Sequence, residues 1–396
     1  MQLARTRAAP PPDLVARIGQ VLDRRVLAAH ERPIAVALSG GGDSLALLLA
    51  VDAWAKAARR RVIVLTVDHR LRTESAGWTD ACAATAARLG VEFRALAWEG
   101  EKPPAGLPAA ARAARHRLLA DAAREAGARV ILMGHTADDV MEAAVMREAG
   151  SSAPAPREWS PSPVWPAGRS LFLLRPMLAL RRADIRKWLV AQGEAWIDDP
   201  ANADLAYARP RARRQLQSGA RVPLCAEVAL PVGLAAVCRA EADGSLAIAR
   251  AVLREAASDE ARRFVSVACL CVGGGGRPPV RARVERLTAQ LLGEGISTRS
   301  LAGARIMASA SEVRFTREPG EAARGGLASL RLAAGETEVW DGRFEVTADR
   351  PVEIRPDRSG RPLAVADDGG AAAVQLTSLT HARLLAACGA IVREPA

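Results

Sequence analysis

The sequence predicts an α/β protein: a doubly wound, mostly parallel sheet, followed by a helical segment and a small mixed α/β domain. Three observations carry this expectation. Short apolar runs alternate with helix-length stretches over roughly the first 150 residues, the pattern of strands joined by crossover helices. The first run, Ile34–Leu38, ends in Ser39-Gly40-Gly41-Gly42-Asp43-Ser44 and leads straight into the helical stretch Leu45–Val51. From about residue 300 to 366 the pattern turns to short strands, such as Ala304–Met307, Glu312–Phe315 and Phe344–Thr347.

In chain order, residues 12–30 read as an amphipathic helix after Pro10-Pro11-Pro12. A buried strand 34–38 and a helix 43–58 follow. Arg61–Asp68 is a second strand, and 75–89 a helix stopped by Gly90. Val91–Trp98 is a third strand, 102–108 a Pro/Gly loop, and 109–127 a long helix ending at Gly127. Arg129–Gly134 is a fourth strand, followed by a helix over 137–148. Residues 151–168 are rich in Ser, Pro and Gly, which marks a loop. A helix is expected at 180–192. Residues 225–265 read as helical, Gly273–Pro279 interrupts, 281–293 is another helix, and a last one lies near 378–390. No internal repeat is visible. Three domains are expected: 1–215, 216–295 as a helical linker, and 296–396 as a small strand-rich domain.

Of the 396 residues, 55 are basic and 44 acidic, a formal net charge of +11, and only Lys56, Lys102 and Lys187 are lysines. Part of that arginine bias matches an alanine-rich, GC-rich coding background. An arginine excess also suits a polyanionic partner, because guanidinium pairs bidentately with phosphate. Charge alone leaves this open against a basic, solvated surface. No apolar run reaches membrane-spanning length, so a soluble protein is expected. The six cysteines, at 82, 225, 238, 269, 271 and 388, form no C-x-x-C and no zinc-type pair of pairs. Cys269 and Cys271 sit in an apolar run and read as core. Met1–Arg7 lacks a signal-peptide apolar region, so a reduced cytoplasm is preferred to an organelle.

The glycine stretch is the first chemical signal. Glycines allow close backbone approach and positive φ, and a helix N-terminus offers free N–H groups and a favourable dipole to a phosphate. No lysine follows the glycines, which excludes the Walker A loop, and their contiguity excludes G-x-G-x-x-G. In parallel sheets ligands bind at the carboxyl ends of the strands. That rule puts Ser39–Ser44, Asp68-His69 and His135–Glu142 on one rim. Within the last stretch, Thr136 is placed to cap a helix with Asp139 three residues on. Asp138, Asp139 and Glu142 fall close together on that helix. Acids in a first turn also complement the dipole, but their place on the rim favours a site. Carboxylates are the usual protein ligands of the magnesium that accompanies ATP.

The loop S-G-G-G-D-S resembles the pyrophosphate loop of ATP pyrophosphatases, which split ATP to AMP and pyrophosphate. Together with five further motifs it resembles the tRNA(Ile)-lysidine synthetase family. That family joins S-G-G-x-D-S to V-D-H-G-L-R, A-R-x-x-R-Y, G-H-H-x-D-D-Q-x-E-T, R-P-L-L and D-x-S-N-x-D-x-x-Y-x-R-N-x-I-R. The matching stretches here are Val67–Arg72, Ala111–His116, Gly134–Ala143, Arg175–Leu178 and Asp199–Arg213. Their order and spacing agree over roughly residues 34–215, and Tyr207, the only tyrosine, falls on the motif's tyrosine. Arg70, His116, Thr136, Val140, Ala143, Ala201 and Pro210 depart from the pattern, and none removes a carboxylate or an arginine. Residues beyond about 216 match no motif.

The resemblance implies an adenine nucleotide alpha hydrolase-like fold and ATP-dependent attachment of free L-lysine to the wobble cytidine of an isoleucine tRNA with anticodon CAU. The cytidine is first adenylated. ATP and Mg²⁺ are implied, as is a cytoplasmic setting without membrane attachment. The oligomeric state stays open, a homodimer being one option. It implies that Ser39, Gly40, Gly41, Gly42, Asp43, Ser44, Asp68 and His135 bind the nucleotide, and that Asp43 and Asp138 (or Asp139) hold the metal. Asp139 or Glu142 would act as base or as anchor for the lysine ammonium. Arg112 or Arg115 would stabilise charge on the phosphate. Asn202, Tyr207, Arg209, Arg211, Arg213 and Arg214 would contact tRNA. Residues 216–396 are expected to read the acceptor stem or elbow. The alternative on the same loop is another tRNA-modifying enzyme, such as a cytidine thiolase, against which the lack of C-x-x-C and of motif cysteines counts.

Overall fold

The computed structural model describes residues 14–151, 155–199, 204–219, 229–366, 370 and 372–396. They fall into two compact units: unit 1 runs to residue 227 and includes Val392–Ala396, and unit 2 is the intervening chain to Ile391.

Unit 1 contains α1 (Leu14–Arg25), β1 (Ile34–Ala37), α2 (Gly42–Ala58), β2 (Val62–Asp68), α3 (Ser75–Leu89), β3 (Glu92–Ala97) and α4 (Leu107–Glu125). β4 (Val130–Met133), α5 (Ala137–Glu148), β5 (Trp159–Pro161), β6 (Phe172–Leu174), α6 (Arg182–Ala191) and α7 (Ala208–Gln217) follow. The sheet order is β3-β2-β1-β4-β6-β5. All neighbours are parallel except β5 with β6. Helices cover parallel sheets on both faces, so their strands read as continuous apolar runs. Ile34, Ala35 and Val36 are fully buried accordingly. One face packs Ala35, Ile63, Leu65, Ile131 and Met133 against Leu119, Ala120 and Ala123 of α4. β1 pairs with β2 on one side and with β4 on the other, with Ala37 level with both Leu65 and Met133. The connections reverse direction between β1 and β4, and such a switch point opens a crevice at the carboxyl edge.

Two elements differ from expectation. The stretch read as a loop contains β5, an antiparallel edge strand whose Trp159 stacks on Phe172 with ring centroids 4.8 Å apart. The arginine-rich stretch after Tyr207 is a helix, α7, with Tyr207 at its N-cap. Pro210 therefore sits in the first turn, where its missing N–H costs nothing and its fixed φ suits the helix.

Val392–Ala396 returns to unit 1. The Glu394 carboxylate lies 3.0 and 3.1 Å from the two terminal nitrogens of Arg60 and accepts the Leu27 N–H at 2.9 Å. Both side chains of this ion pair are fully buried.

Unit 2 opens with α8 (Val232–Val237), β7 (Arg239–Ala240), β8 (Leu246–Ala249), α9 (Arg250–Glu255), α10 (Ser258–Val272) and α11 (Arg281–Leu292). It continues with β9 (Ser297–Leu301), β10 (Ala304–Ala308), β11 (Glu312–Arg317), α12 (Gly320–Ala323), β12 (Leu330–Leu332) and β13 (Thr337–Trp340). β14 (Phe344–Ala348), β15 (Val352–Pro356), β16 (Pro362–Ala366), β17 (Val374–Ser378) and α13 (Thr380–Ala387) complete it. The largest sheet has the order β7-β8-β11-β10-β9, and two three-stranded sheets share a core around Trp340, Phe344 and Ile354. The expected helix over 225–265 is therefore corrected: within the described residues a β-turn-β hairpin interrupts it. The expected boundary at 295 does not coincide with a break, because β8 pairs with β11 across it. Cys269 and Cys271 are buried in the core beside Phe264 and Phe315.

Candidate active site

The glycine loop joins β1 to α2. Gly41 is the N-cap and no side chain caps the helix, so the first-turn N–H groups are left for a ligand. The Ser44 hydroxyl donates to the Gly41 carbonyl at 2.9 Å and accepts the Ser39 N–H at 3.2 Å, which closes the loop on itself. Gly40 has φ +80°, and a Cβ there would stand 2.5 Å from Ile197 Cδ1. The Ile197 N–H donates to the Gly40 carbonyl at 3.0 Å, so the segment after α6 packs over the loop. Gly134 directly follows β4. A Cβ on it would come 3.0 Å from the backbone of Asp43 and Ser44, so glycine lets the two rim loops meet.

Carboxylates from two elements converge on one guanidinium. Arg182, the first residue of α6, donates through Nε to Asp43 Oδ2 at 2.9 Å and through Nη1 to Glu142 Oε1 at 3.0 Å. Its Nη2 lies 3.3 Å from Asp139 Oδ1. Burial works against the Arg182 charge, but Asp139, Asp43 and Glu142 together raise its pKa. For Asp43 burial prevails: its carboxyl is raised despite Arg182. Glu142 is fully buried; Arg213 Nε also donates to its Oε1 at 2.8 Å, and Arg209 Nε lies 3.2 Å from its Oε2. Asp139 Oδ2 accepts from both the Thr136 N–H, at 2.7 Å, and the Thr136 hydroxyl, at 2.9 Å. This capping box leaves Oδ1 facing the arginines.

Beside this acid group lies a cationic one. Arg115 is pushed down to about 10 by burial and by Arg112 and Arg209, and its Nε has no hydrogen-bond partner among the described residues. Burial and the nearby Arg112, Arg115 and Arg157 likewise push Arg175 down to about 10. Burial, then Arg175, Arg115, Arg209 and Arg112, hold the pKa of His135 well below its usual range. Neighbouring His116 is pushed down to about 2 by burial and by Arg115, Arg112 and Arg175. Among the described residues no carboxylate hydrogen-bonds to Arg115 or Arg175, and bringing such charges together without acids is costly.

Both groups border one cleft of about 840 Å³, which Ser39, Gly41, Gly42, Asp43, Ser44, Asp68, His135, Asp139, Arg115 and Arg182 help to line. The PP-loop domain family matches residues 12–219. A tRNA(Ile)-lysidine synthase of Caulobacter vibrioides is 49% identical over 340 residues, covering 84% of this chain and 79% of that protein. One of Rhizobium meliloti is 35% identical over 392 residues, covering 89% and 84%. The chain belongs to the tRNA(Ile)-lysidine synthase family.

Among solved structures, a U34-tRNA thiolase of Methanococcus maripaludis with its 4Fe-4S cluster aligns with a TM-score of 0.43 at 16% identity, over 52% of this chain and 70% of that one.

Not every residue expected from the lysidine synthase motifs faces the cleft. Tyr207, Arg209 and Arg213 line it, whereas Arg211 and Arg214 are exposed on α7. Glu142 is buried and does not line it, and Arg112 is exposed. Asn202 lies outside the described residues. Asp138, expected as a metal ligand, is turned to α6: Arg181 Nη2 donates to its Oδ1 at 3.0 Å and the Arg182 N–H to its Oδ2 at 2.7 Å. Burial opposes its charge, yet these hydrogen bonds keep its pKa low. The carboxylates of Asp43 and Asp139 instead share one cation, Arg182, and the described residues hold no cluster of three or more His, Cys, Asp or Glu side chains placed for a metal ion. No sequence motif pointed to Arg182 or to the cover of Trp196 and Ile197, whose side chains lie against Gly42 and Gly40, and the Arg175–Leu178 match gave Arg175 no role. Arg181 and Arg182 at a helix N-terminus oppose the dipole, and that mismatch is the signal that they have acid partners.

Proposed function

We propose that this chain uses ATP to join free lysine to C2 of the wobble cytidine in an isoleucine tRNA with anticodon CAU. The observation that carries the reading is the meeting, in one cleft, of a glycine loop opening a helix, the carboxylates of Asp43 and Asp139, and the guanidinium of Arg115. Such a cleft suits a reaction with an anionic leaving group at one end and a cationic amine at the other. In the first step cytosine O2 attacks the α-phosphorus of ATP; an O–P bond forms, the α–β P–O bond breaks and pyrophosphate leaves. In the second, the lysine Nζ attacks C2, the C2–O bond breaks and AMP leaves.

The N–H groups from Ser39 to Ser44 are assigned to the pyrophosphate, and Arg115 to charge building on the transferred phosphorus. Asp43 and Asp139 would hold magnesium, which neutralises phosphate charge when bound. A lysine amine has an ordinary pKa of about 10.4 and must lose a proton before attack. Asp139 or Glu142 takes that proton or orients the ammonium, which would exchange with the guanidinium of Arg209 or Arg213 at Glu142. Arg211 and Arg214, exposed on α7, are assigned to tRNA phosphates. Unit 2 is assigned to telling this tRNA from the methionine tRNA that shares its anticodon. We place the reaction in the cytoplasm, where tRNA, ATP and free lysine meet.

The test is incorporation of radiolabelled lysine into an in vitro transcript of the isoleucine tRNA, with ATP and magnesium. Label there and none in the methionine tRNA is expected. ATP cleavage to AMP without label would move the reading to another nucleophile.

A further inference from the structure

Arg175 follows β6 and is 6% exposed. Its Nη1 donates to the Arg157 carbonyl at 2.8 Å and to the Ser160 hydroxyl at 3.1 Å, and its backbone N–H donates to the Glu158 carbonyl at 2.8 Å. The β5 hairpin thus fixes the guanidinium. Its Nε lies 3.2 Å from Nδ1 of His135. A guanidinium has donors and no acceptor, so the histidine nitrogen is the acceptor in this bond and carries no proton. The ring lines the nucleotide cleft. Arg115 of α4 and Arg209 of α7 surround it, and both disfavour a second ring proton.

We infer that Arg175 is a positioning residue that locks His135 in its Nε2–H tautomer, so that the ring offers the bound nucleotide's phosphate oxygens a neutral, directed donor. The opposite tautomer would turn a lone pair towards those oxygens and repel them. Which nitrogen of a histidine bears the proton is set by the hydrogen bond the other makes. The donor role rests on the proposed reading of the cleft as a nucleotide site; the tautomer does not.

The experiment is long-range ¹H–¹⁵N NMR of the full chain, labelled at its five histidines. The His135 signals are assigned by their loss in His135→Gln. A neutral Nε2–H ring at pH 7 is expected, and an Nδ1–H ring or an imidazolium would overturn the inference. Arg175→Met should give a mixture of tautomers, and Arg175→Lys, which keeps a donor, should restore the single form. If Arg175→Met folds and its ring stays wholly Nε2–H, Arg175 does not position it. Adding an ATP analogue with a methylene α,β-bridge should shift the Nε2–H resonance in the wild-type chain; no shift on a saturated site defeats the donor role. Arg175→Met is further expected to lower kcat/KM for ATP about tenfold, the weight of one such hydrogen bond. A chain showing the expected tautomer but no lysine transfer would sink the proposed reaction and leave the positioning role standing.

Discussion

Arg182 Nε donates to Asp43 Oδ2 across 2.9 Å, tying the first turn of α6 to the first turn of α2. The same guanidinium reaches Asp139 and Glu142, so one cation bridges three acids on one rim. Arg182→Met is expected to cost about 3 kcal/mol, the scale for removing one partner from a buried ion pair. Urea denaturation of the variant checks this; an unchanged midpoint would mean that Arg209 and Arg213 suffice.

Asp139→Asn should abolish lysine transfer while leaving the fold intact. Its remaining side-chain oxygen can still accept from Thr136, so the helix cap survives. Asp139→Ala loses the cap as well and should be about 1 kcal/mol less stable. Retained transfer in the asparagine variant would remove Asp139 from the chemistry.

Replacing Arg211 and Arg214 together by alanine should weaken tRNA binding and flatten its salt dependence. The slope of log K against log salt should fall by roughly 0.7–0.9 per lost phosphate contact. Replacing Arg209 and Arg213 should add a loss of stability, because both lie against the buried Glu142. Filter binding at several salt concentrations separates the two cases, and an unchanged slope in the Arg211 and Arg214 pair would place the tRNA track elsewhere.

Gly40→Ala puts a side chain at φ +80°, where left-handed backbone costs roughly 1–2 kcal/mol. It also pushes Ile197 off the loop. A lower melting temperature and a raised KM for ATP are expected. Wild-type values for both would mean the loop is looser than its contacts indicate.

His116 has both ring nitrogens buried without hydrogen-bond partners among the described residues, and its pKa falls from 6.5 to about 2 on folding. The unfolded chain therefore binds a proton below pH 6.5 that the folded chain refuses. Its contribution is complete above pH 6.5 and is lost as pH falls below it, by up to about 1.4 kcal/mol per pH unit. His116→Phe should flatten the stability profile between pH 6 and 5. A profile as steep as wild type would assign the slope to another group.

Much of unit 1 was legible because its signals are local. Buried parallel strands announce themselves as apolar runs, and the glycine run marks the turn in which Gly40 takes φ +80°. The three-residue strands β5 and β6 are too short for any periodicity to register. Asp138 and Asp139 looked equivalent because they are adjacent, but helix geometry turns neighbours about 100° apart. One faces α6 and the other the cleft. Arg182 was missed because its partners lie 139 and 40 residues away in the chain. The hairpin of β7 and β8 was read as helix, since alanine- and leucine-rich strands carry a helical propensity that tertiary pairing overrides.

The buried contact between Glu394 and Arg60 makes unit 2 an insertion rather than an appendage. A protease that cut once inside unit 2 would sever the peptide chain, yet the downstream piece would still end in a segment seated on unit 1. Gentle proteolysis would then give bands that separate on a denaturing gel and co-elute on a sizing column. Arg60, stripped of that segment in a fragment stopping near residue 227, would be left as an uncompensated charge in the interior, and supplying the peptide Val392–Ala396 in trans would be the way to quiet it.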